Sequence, residues 1–213
     1  MSRTDLKHWI KVWHDLQAVG DPVAWYQRLV AAYSEPHRHY HNLQHLDECL
    51  REFDVARPLA LQPGIVEAAL WFHDAVYDPR SHTNEEDSAA LADRCLCVAG
   101  LTSVAIGEIR QLILATKTHK PGDLADAALL IDIDLAILGQ PPSRFSEYEL
   151  GIKSEYSWVP ATTYAEKRSE ILEGFLRRPE IYRNARFKDR YETTARANLA
   201  QVIDALRSPL PGS

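Results

Sequence analysis

The chain has 213 residues, of which 46% are hydrophobic and 25% charged, a composition typical of a globular protein long enough to bury a core. Its formal net charge of -6 argues against a non-specific nucleic-acid binder, because such proteins rely on a broad basic surface. The three cysteines lack the spacing of a disulfide framework, and no apolar run suits a signal peptide or a membrane span. We therefore expect a reduced, cytoplasmic protein that binds neither a nucleic-acid polymer nor a membrane.

Helical periodicity runs through the chain, and no alternating pattern bounded by a tight hairpin turn indicates a strand. In chain order, helical segments are expected at 6–16, from 22, at 40–53, at 63–77, from 83, and at 102–117, 123–138, 143–156, 163–177 and 189–206. Thr83 and Glu86 form a candidate capping box at the fifth segment. The turn at 139–142 is a weak domain boundary, since about 70 residues beyond it would make a thin separate domain. The sequence predicts one all-α domain over residues 1–213, with about ten helices.

The first group of potential metal ligands is a histidine-rich segment. Four of the nine histidines lie within residues 37–45, and His37, His41 and His45 are spaced four apart. If the whole segment is helical, this spacing puts the three on one face, where two imidazoles can bind or flank a metal ion. A solvated polar turn is the alternative, and the histidines alone favour neither.

The second feature is the dipeptide His73-Asp74. Apolar positions surround the projected helix from residue 65 to residue 76, so both side chains are expected to be buried. A buried carboxylate is costly unless it is paired or binds a metal ion. The same dipeptide occurs at His14-Asp15, but there Asp15 projects away from the apolar stripe, which indicates a surface position.

The third feature is a pair of aspartates in an apolar stretch near residue 133. On a helical projection Asp134 lies within the apolar face, whereas Asp132 lies farther from its centre. Asp134 is therefore the better candidate for a metal ligand, and Asp132 is kept as an additional ligand or an outer-shell residue. An aspartate paired with an arginine is the alternative interpretation.

An early His, an adjacent His-Asp and a later Asp follow the ligand order of the HD superfamily. The segment Tyr40-His41-Asn42-Leu43-Gln44-His45 resembles the Tyr-His-Asn-x-x-His element of cyclic nucleotide phosphodiesterases, which share the HD fold. Most of the chain is similar to a bacterial family of predicted HD-superfamily metal-dependent phosphohydrolases. Besides the segments above, that similarity includes Asn84-Glu85, Lys117-x-His119, 132–139 and 196–199. The phosphodiesterase-type histidine after His-Asp is missing, because Tyr77, Asp78 and Pro79 occupy those positions.

The resemblance implies an HD-type helical bundle with a metal site formed by His45, His73, Asp74 and Asp134. Such mixed nitrogen and oxygen ligation suits Mn²⁺, Fe²⁺, Co²⁺, Ni²⁺ or Zn²⁺ better than Mg²⁺, with one or two ions. A metal-activated water would attack the phosphorus atom.

Further roles are assigned to residues around this site. Asp74, His41 and His119 are the candidate catalytic residues: Asp74 would orient the water, and His41 would protonate the leaving oxygen. His119, Asp132 and Glu85 are candidates for additional metal ligands or outer-shell residues. Phosphate favours cationic side chains, and the candidates are Arg38, Lys117 and Arg168.

The expected function is hydrolysis of a small phosphate ester, a nucleotide-like phosphomonoester or phosphodiester. Two other functions fit the same residues: a non-catalytic regulatory module that binds metal or nucleotide, and a di-iron oxygenase. The sequence leaves the substrate, the native metal and homo-oligomer formation open.

Overall fold

The computed structural model describes residues 2–208 of the chain. In this part of the chain there are ten α-helices and no strand, which confirms the all-α prediction. The helices are α1 (Leu6–Asp15), α2 (Pro22–Tyr33), α3 (Leu43–Ala56), α4 (Pro63–Phe72), α5 (Asn84–Val98), α6 (Ser103–Thr116), α7 (Ala125–Asp134), α8 (Pro142–Glu155), α9 (Ala161–Leu176) and α10 (Ala185–Arg207). Short 3₁₀ helices span Arg57–Leu59 and Leu135–Gly139. No helix among the described residues combines the length and apolarity needed to cross a bilayer.

Two helix boundaries differ from the prediction at functionally important places. Helix α3 begins at Leu43, because the Asn42 side chain accepts a hydrogen bond from the backbone N–H of Gln44 at 2.9 Å and caps the helix. The preceding residues form a turn, so the shared helical face expected for His37, His41 and His45 does not exist.

Helix α4 ends earlier than expected as well. Its last residue is Phe72, and His73-Asp74 lie in the turn that follows.

The predicted capping box at Thr83 is also wrong, although α5 begins where it was expected. The Thr83 hydroxyl donates to Asp87 at 2.9 Å instead of capping the backbone, and the Glu86 carboxylate pairs with Lys117.

Contacts within the chain define two compact units, residues 1–134 and 135–213. In the first unit, α4 is the central helix, because α1, α3, α5, α6 and α7 all contact it. Eight of its ten residues are buried, as the surrounding apolar pattern predicted. The fully buried Trp71 and Phe72 of α4 pack against the fully buried Trp9 of α1, with ring centroids 5.1 and 6.1 Å from that of Trp9, respectively. The position of α4 therefore places its C-terminal turn firmly inside the first unit.

In the second unit, α10 packs against α9 and against the 3₁₀ helix at 135–139. The buried amide of Asn198 donates to the carbonyl oxygens of Leu138 and Gln140, both at 2.9 Å. Next to these contacts, a Cβ added at Gly139 would lie 2.5 Å from the Cβ of Tyr191 and 2.9 Å from its Cα. Glycine at position 139 is thus required by the close approach of two backbones.

We predict that Gly139→Ala lowers the free energy of unfolding by about 1–3 kcal/mol, because the added methyl group forces the 3₁₀ helix and α10 apart. The matched control is Gly174→Ala in the last turn of α9, where an added Cβ meets nothing within 4 Å. This control should raise stability by about 0.5–1 kcal/mol through helix propensity. Urea denaturation of the two variants checks the prediction, and equal midpoints would contradict it.

Candidate metal centre

Two histidine nitrogens and two aspartate oxygens of the first unit come together where α3, α4 and α7 meet. The Nε2 atoms of His45 and His73 lie 3.1 Å apart, and Asp74 Oδ2 lies 3.3 and 3.1 Å from them, respectively. Asp134 Oδ1 lies 3.4 Å from His45 Nε2 and 3.7 Å from His73 Nε2. Ligands bound at about 2.1 Å to a single ion are separated by about 3.0 Å in octahedral and about 3.4 Å in tetrahedral geometry. The nitrogen–nitrogen distance and the four nitrogen–oxygen distances are therefore close to those between ligands of one metal ion.

The orientation of His73 is set by a second contact of its ring. Its Nδ1 lies 2.7 Å from the carbonyl oxygen of Leu70, one of the acceptors left unpaired at the end of α4. In the neutral imidazole, Nδ1 then carries the proton and Nε2 directs its lone pair at the centre. Metal-binding histidines are held in this way by a backbone carbonyl or a carboxylate.

Negative charge accumulates at this point of the fold. Asp134 is the last residue of α7, and Asp74 follows α4 by two residues, so both carboxylates lie at helix C-termini. The helix dipole is negative there, which disfavours an anion and favours a cation. Two carboxylates and two helix ends therefore create a site for positive charge.

The same charges act on the ionisation of the side chains. Burial alone lowers the pKa of His73, but the carboxylates of Asp74 and Asp134 outweigh it and raise the pKa above its ordinary value. Burial alone raises the pKa of Asp74, but the neighbouring His73 and His45 bring it well below its usual range. The pKa of Asp134 is lowered in the same way, mainly through His119 and His45. The carboxylates are therefore ionised at neutral pH.

The centre is closed on the histidine side and open on the carboxylate side. The side chains of His45 and His73 are only 2% and 1% exposed, whereas those of Asp74 and Asp134 are 19% and 14% exposed. Catalytic metal sites keep such an open position for water or substrate, whereas structural sites are closed.

His119 contacts the centre through the second oxygen of Asp134. Its Nε2 lies 3.1 Å from Asp134 Oδ2, while Oδ1 faces His45 and His73. His119 adopts a φ of +49°, in the left-handed region that costs a non-glycine residue on the order of 1 kcal/mol. Strain of this kind is concentrated at functional sites, and here it accompanies the contact with Asp134. The alternative of a histidine that faces only solvent is thereby disfavoured, whereas its role as ligand or catalyst stays a prediction.

His41 lies beside the centre, in the turn before α3. Its half-buried ring stacks on Tyr77, with centroids 4.2 Å apart, and lies 6.0 Å from the ring of His45. His37 is exposed, and its Nε2 lies 2.9 Å from the carbonyl oxygen of Tyr77. Of the two histidines that precede α3 at the predicted spacing, only His41 is thus placed to meet a substrate at the centre.

The predicted phosphate-binding cations have protein partners. Lys117 Nζ donates to the carbonyl oxygen of His82 at 2.7 Å and pairs with Glu86. Arg168 belongs to the second unit, where its buried guanidinium pairs with Glu149 and donates to the Tyr148 hydroxyl at 2.7 Å. These pairings favour structural roles over the predicted phosphate contacts.

The remaining predicted residues have different surroundings. Arg38 is buried and bonded to backbone carbonyls next to the centre, which favours a structural role, and its predicted contact with phosphate stays a prediction. Asp132 is completely buried, and Glu85 is half-buried in the first turn of α5. The nitrogens of His45 and His73 meet the oxygens of Asp134, the aspartate that the helical projection preferred.

The sequence analysis missed Cys49, which lies one turn after His45 on α3. Its Sγ is 3.7 Å from Nδ1 and 3.8 Å from Nε2 of His45. His45, Cys49, His73 and Asp134 each offer one potential ligand atom, and these four atoms lie within 4.8 Å of one another. These four residues could also hold a metal ion. The spacing His-x-x-x-Cys on a helix is the signal that would have found it. Burial raises the pKa of the Cys49 thiol to about 11, and Asp74 Oδ2 lies closer to the two nitrogens than Cys49 Sγ lies to His45, so we predict that Asp74 is the fourth ligand.

We predict that Asp74→Asn weakens metal binding by more than about 100-fold, beyond the about 10–100-fold typical of outer-shell residues. Cys49→Ala should change metal affinity by less than about tenfold, because the thiol packs beside His45 without replacing a carboxylate. Competition with a chelator measures both affinities. A thiolate charge-transfer absorption in the Co²⁺-loaded protein, lost in Cys49→Ala, would contradict the assignment.

We also predict that metal affinity increases with pH. The pKa values of His73 and His45 are raised, so below them protons occupy the nitrogens that must bind the metal. The proton-bound histidines stabilise the metal-free protein at low pH, and this stabilisation disappears as the pH rises through the raised pKa values. Added Zn²⁺ or Co²⁺ should therefore raise the Tm more at about pH 8 than at about pH 6, because pH 6 lies below both raised pKa values and the fraction of unprotonated histidine increases with pH. An equal shift at both pH values would exclude these histidines as ligands.

Comparisons of the chain with protein-family models, with curated proteins and with solved structures found no match. The relationship to the HD superfamily therefore stays a prediction from the sequence motifs. The demonstrated feature is a group of buried histidine, cysteine and aspartate side chains that could bind a metal ion.

Proposed function

We propose that this protein is a metal-dependent hydrolase of small phosphate esters, with nucleotide-like phosphomonoesters or phosphodiesters as its substrate class. The observation that carries the proposal is the group of two histidine nitrogens and two carboxylate oxygens, in which the nitrogens lie 3.1 Å apart and each oxygen lies 3.1–3.7 Å from both nitrogens. The partial exposure of both carboxylates supports turnover, because substrate and water can approach from that side.

The donor set indicates which metal ions fit. Imidazole nitrogens and carboxylate oxygens together suit Mn²⁺, Fe²⁺, Co²⁺, Ni²⁺ or Zn²⁺, whereas Mg²⁺ prefers oxygen ligands throughout. Two neutral imidazoles and two carboxylates also balance the charge of one divalent ion. When bound, such an ion supplies a water molecule with a pKa near about 7 and polarises a phosphoryl oxygen.

Three side chains of the first unit have roles in the proposed reaction. Asp74 accepts a hydrogen bond from the attacking water, since its carboxylate is partly exposed. His41, held against Tyr77 beside the centre, donates a proton to the leaving oxygen of the ester. His119 binds the second oxygen of Asp134 and holds that carboxylate in the orientation that faces His45 and His73.

The choice of phosphate esters over other hydrolysable substrates is supported by the sequence motifs. The order His45, His73-Asp74, Asp134 and the segment Tyr40–His45 resemble those of HD-type phosphohydrolases and phosphodiesterases. The cations predicted to hold the phosphate are committed to protein partners, so the proposed substrate is recognised at the metal centre and by His41.

Purified protein is expected to contain a divalent transition metal and to release phosphate or cleave diesters in a screen with Mn²⁺, Co²⁺, Ni²⁺ and Mg²⁺. His73→Ala and Asp74→Ala should each lose the metal and lower kcat/KM by more than about 100-fold, because each removes a ligand. Metal analysis of the purified variants, followed by steady-state kinetics on the best substrate, measures both losses.

The chain provides a matched control in the second His-Asp dipeptide. His14 and Asp15 are exposed on α1, as predicted, and Asp15 pairs with Lys11 rather than with histidines. His14→Ala and Asp15→Ala should keep metal and activity. Retention of metal and activity by the position 73 and 74 variants would refute the proposal. Tight metal and nucleotide binding without product release would indicate a regulatory module, and iron-dependent O₂ consumption would indicate an oxygenase.

A further inference from the structure

Arg38 is a buried cation whose bonds converge on the backbone of the metal centre. Its side chain is 0% exposed, which is costly for a guanidinium unless its donors are satisfied. Nη1 donates to the carbonyl oxygens of Asp74 at 2.6 Å and of His41 at 3.0 Å, and Nη2 donates to that of Ala75 at 3.2 Å. Nε donates to the Glu35 carboxylate at 2.9 Å. Four hydrogen bonds thus occupy a group that has five N–H donors.

The two backbone segments held by Arg38 both carry residues of the centre. One is the turn after α4, where Asp74 is itself a candidate ligand and His73 precedes it directly. The other is the turn at His41, which leads through the capping residue Asn42 into α3 and to His45. A single guanidinium therefore links the segment of His45 to the segment of His73 and Asp74.

Aromatic rings hold the guanidinium in place. Its central carbon lies 5.3 Å from the ring centroid of Tyr33 and 5.5 Å from that of Tyr77, within the range of cation–π contacts. Tyr77 also stacks on His41, so the same ring supports both the guanidinium and the candidate acid. The Tyr33 hydroxyl accepts a bond from the backbone N–H of Asp74 and donates to the Trp71 carbonyl, both at 3.3 Å.

We infer that Arg38, supported by Tyr33, is the positioning residue that sets the ligand geometry of the metal centre and thereby its metal affinity. The inference rests on the proposed metal centre and goes beyond it. Only a planar fork with several donors reaches three carbonyl oxygens on two segments at once, and the compact ammonium group of lysine does not. Loss of the Arg38 guanidinium would let the His41 turn and the turn after α4 separate. The distance between the ligands on these two segments would then no longer be fixed by a shared side chain.

A matched control exists in the second unit. Arg168 is also buried, pairs with a glutamate, Glu149, and lies 5.1 Å from the ring centroid of a tyrosine, Tyr148. Its bonds join α8 to α9 and involve no segment that carries a candidate ligand. Arg38→Lys and Arg168→Lys therefore make the same chemical change in similar surroundings.

The experiment measures the Co²⁺ affinity of the full chain by chelator competition, the visible spectrum of the Co²⁺-loaded protein, and the Tm of the metal-free protein. Arg38→Lys should weaken Co²⁺ binding by about 10–100-fold, the range found for residues that orient metal ligands, and should shift the spectrum. Arg168→Lys should lower the Tm of the metal-free protein about as much as Arg38→Lys does, while its Co²⁺ affinity stays within about twofold of wild type. Tyr33→Phe removes one hydroxyl and retains the ring. This second and milder variant should weaken Co²⁺ binding severalfold.

The inference is overturned if Arg38→Lys and Tyr33→Phe lower only the Tm and leave affinity and spectrum unchanged. It is also overturned if Arg168→Lys weakens Co²⁺ binding as much, since general destabilisation would then explain the effect. A wild-type protein that binds no Co²⁺ would refute the metal centre itself. A protein that binds Co²⁺ without hydrolysing any ester refutes only the proposed activity, because the measurement depends on affinity and not on turnover.

Discussion

Two buried imidazole nitrogens, 3.1 Å apart, face two carboxylates in the interior of the first unit. When neither Nε2 carries a proton, two lone pairs oppose each other at this distance, so a proton or a metal ion is required between the groups. A proton satisfies one pair of atoms, whereas a metal ion satisfies four at once.

The centre depends on how the helices of the first unit end. Helix α4 contacts five other helices, and His73 and Asp74 directly follow this buried helix. Helix α7 delivers Asp134 at its last residue. Both carboxylates thus meet the negative ends of helix dipoles, an arrangement that a folded chain tolerates when a cation compensates. The contacts of Arg38 and Tyr33 stabilise the turn that holds Asp74 against this repulsion.

Helix propensity and periodicity were sufficient to predict ten helices in the correct order, because each helix has a continuous apolar face or a clear breaker at its ends. The same projections separated the buried His73 from the exposed His14. They placed Asp134 nearer the centre of the apolar face than Asp132, whereas Asp132 is completely buried and the Asp134 side chain is 14% exposed. The projections failed where a side-chain hydrogen bond sets the boundary of a helix. The cap at Asn42 turned the segment before α3 away from a helix, and periodicity does not register a single side-chain hydrogen bond.

The residues around the centre were harder to assign from the sequence. Arg38, Lys117 and Arg168 were predicted as phosphate ligands from charge alone, but their partners are set by neighbours distant in the chain, such as Asp74 for Arg38 and Glu86 for Lys117. Cys49 was overlooked since its significance depends on the ring of His45, which is known only once the side chains are placed.

By itself, the sequence determined the helical architecture, the burial of α4 and the residue types of the centre, because these follow from local propensity and from the distribution of apolar side chains. Only the tertiary structure decided which donor atoms meet, that His119 binds the outer oxygen of Asp134, and that Arg38 is buried beneath the centre. Those outcomes depend on packing between segments far apart in the chain, where a displacement of about 1 Å separates a ligand from a neighbour.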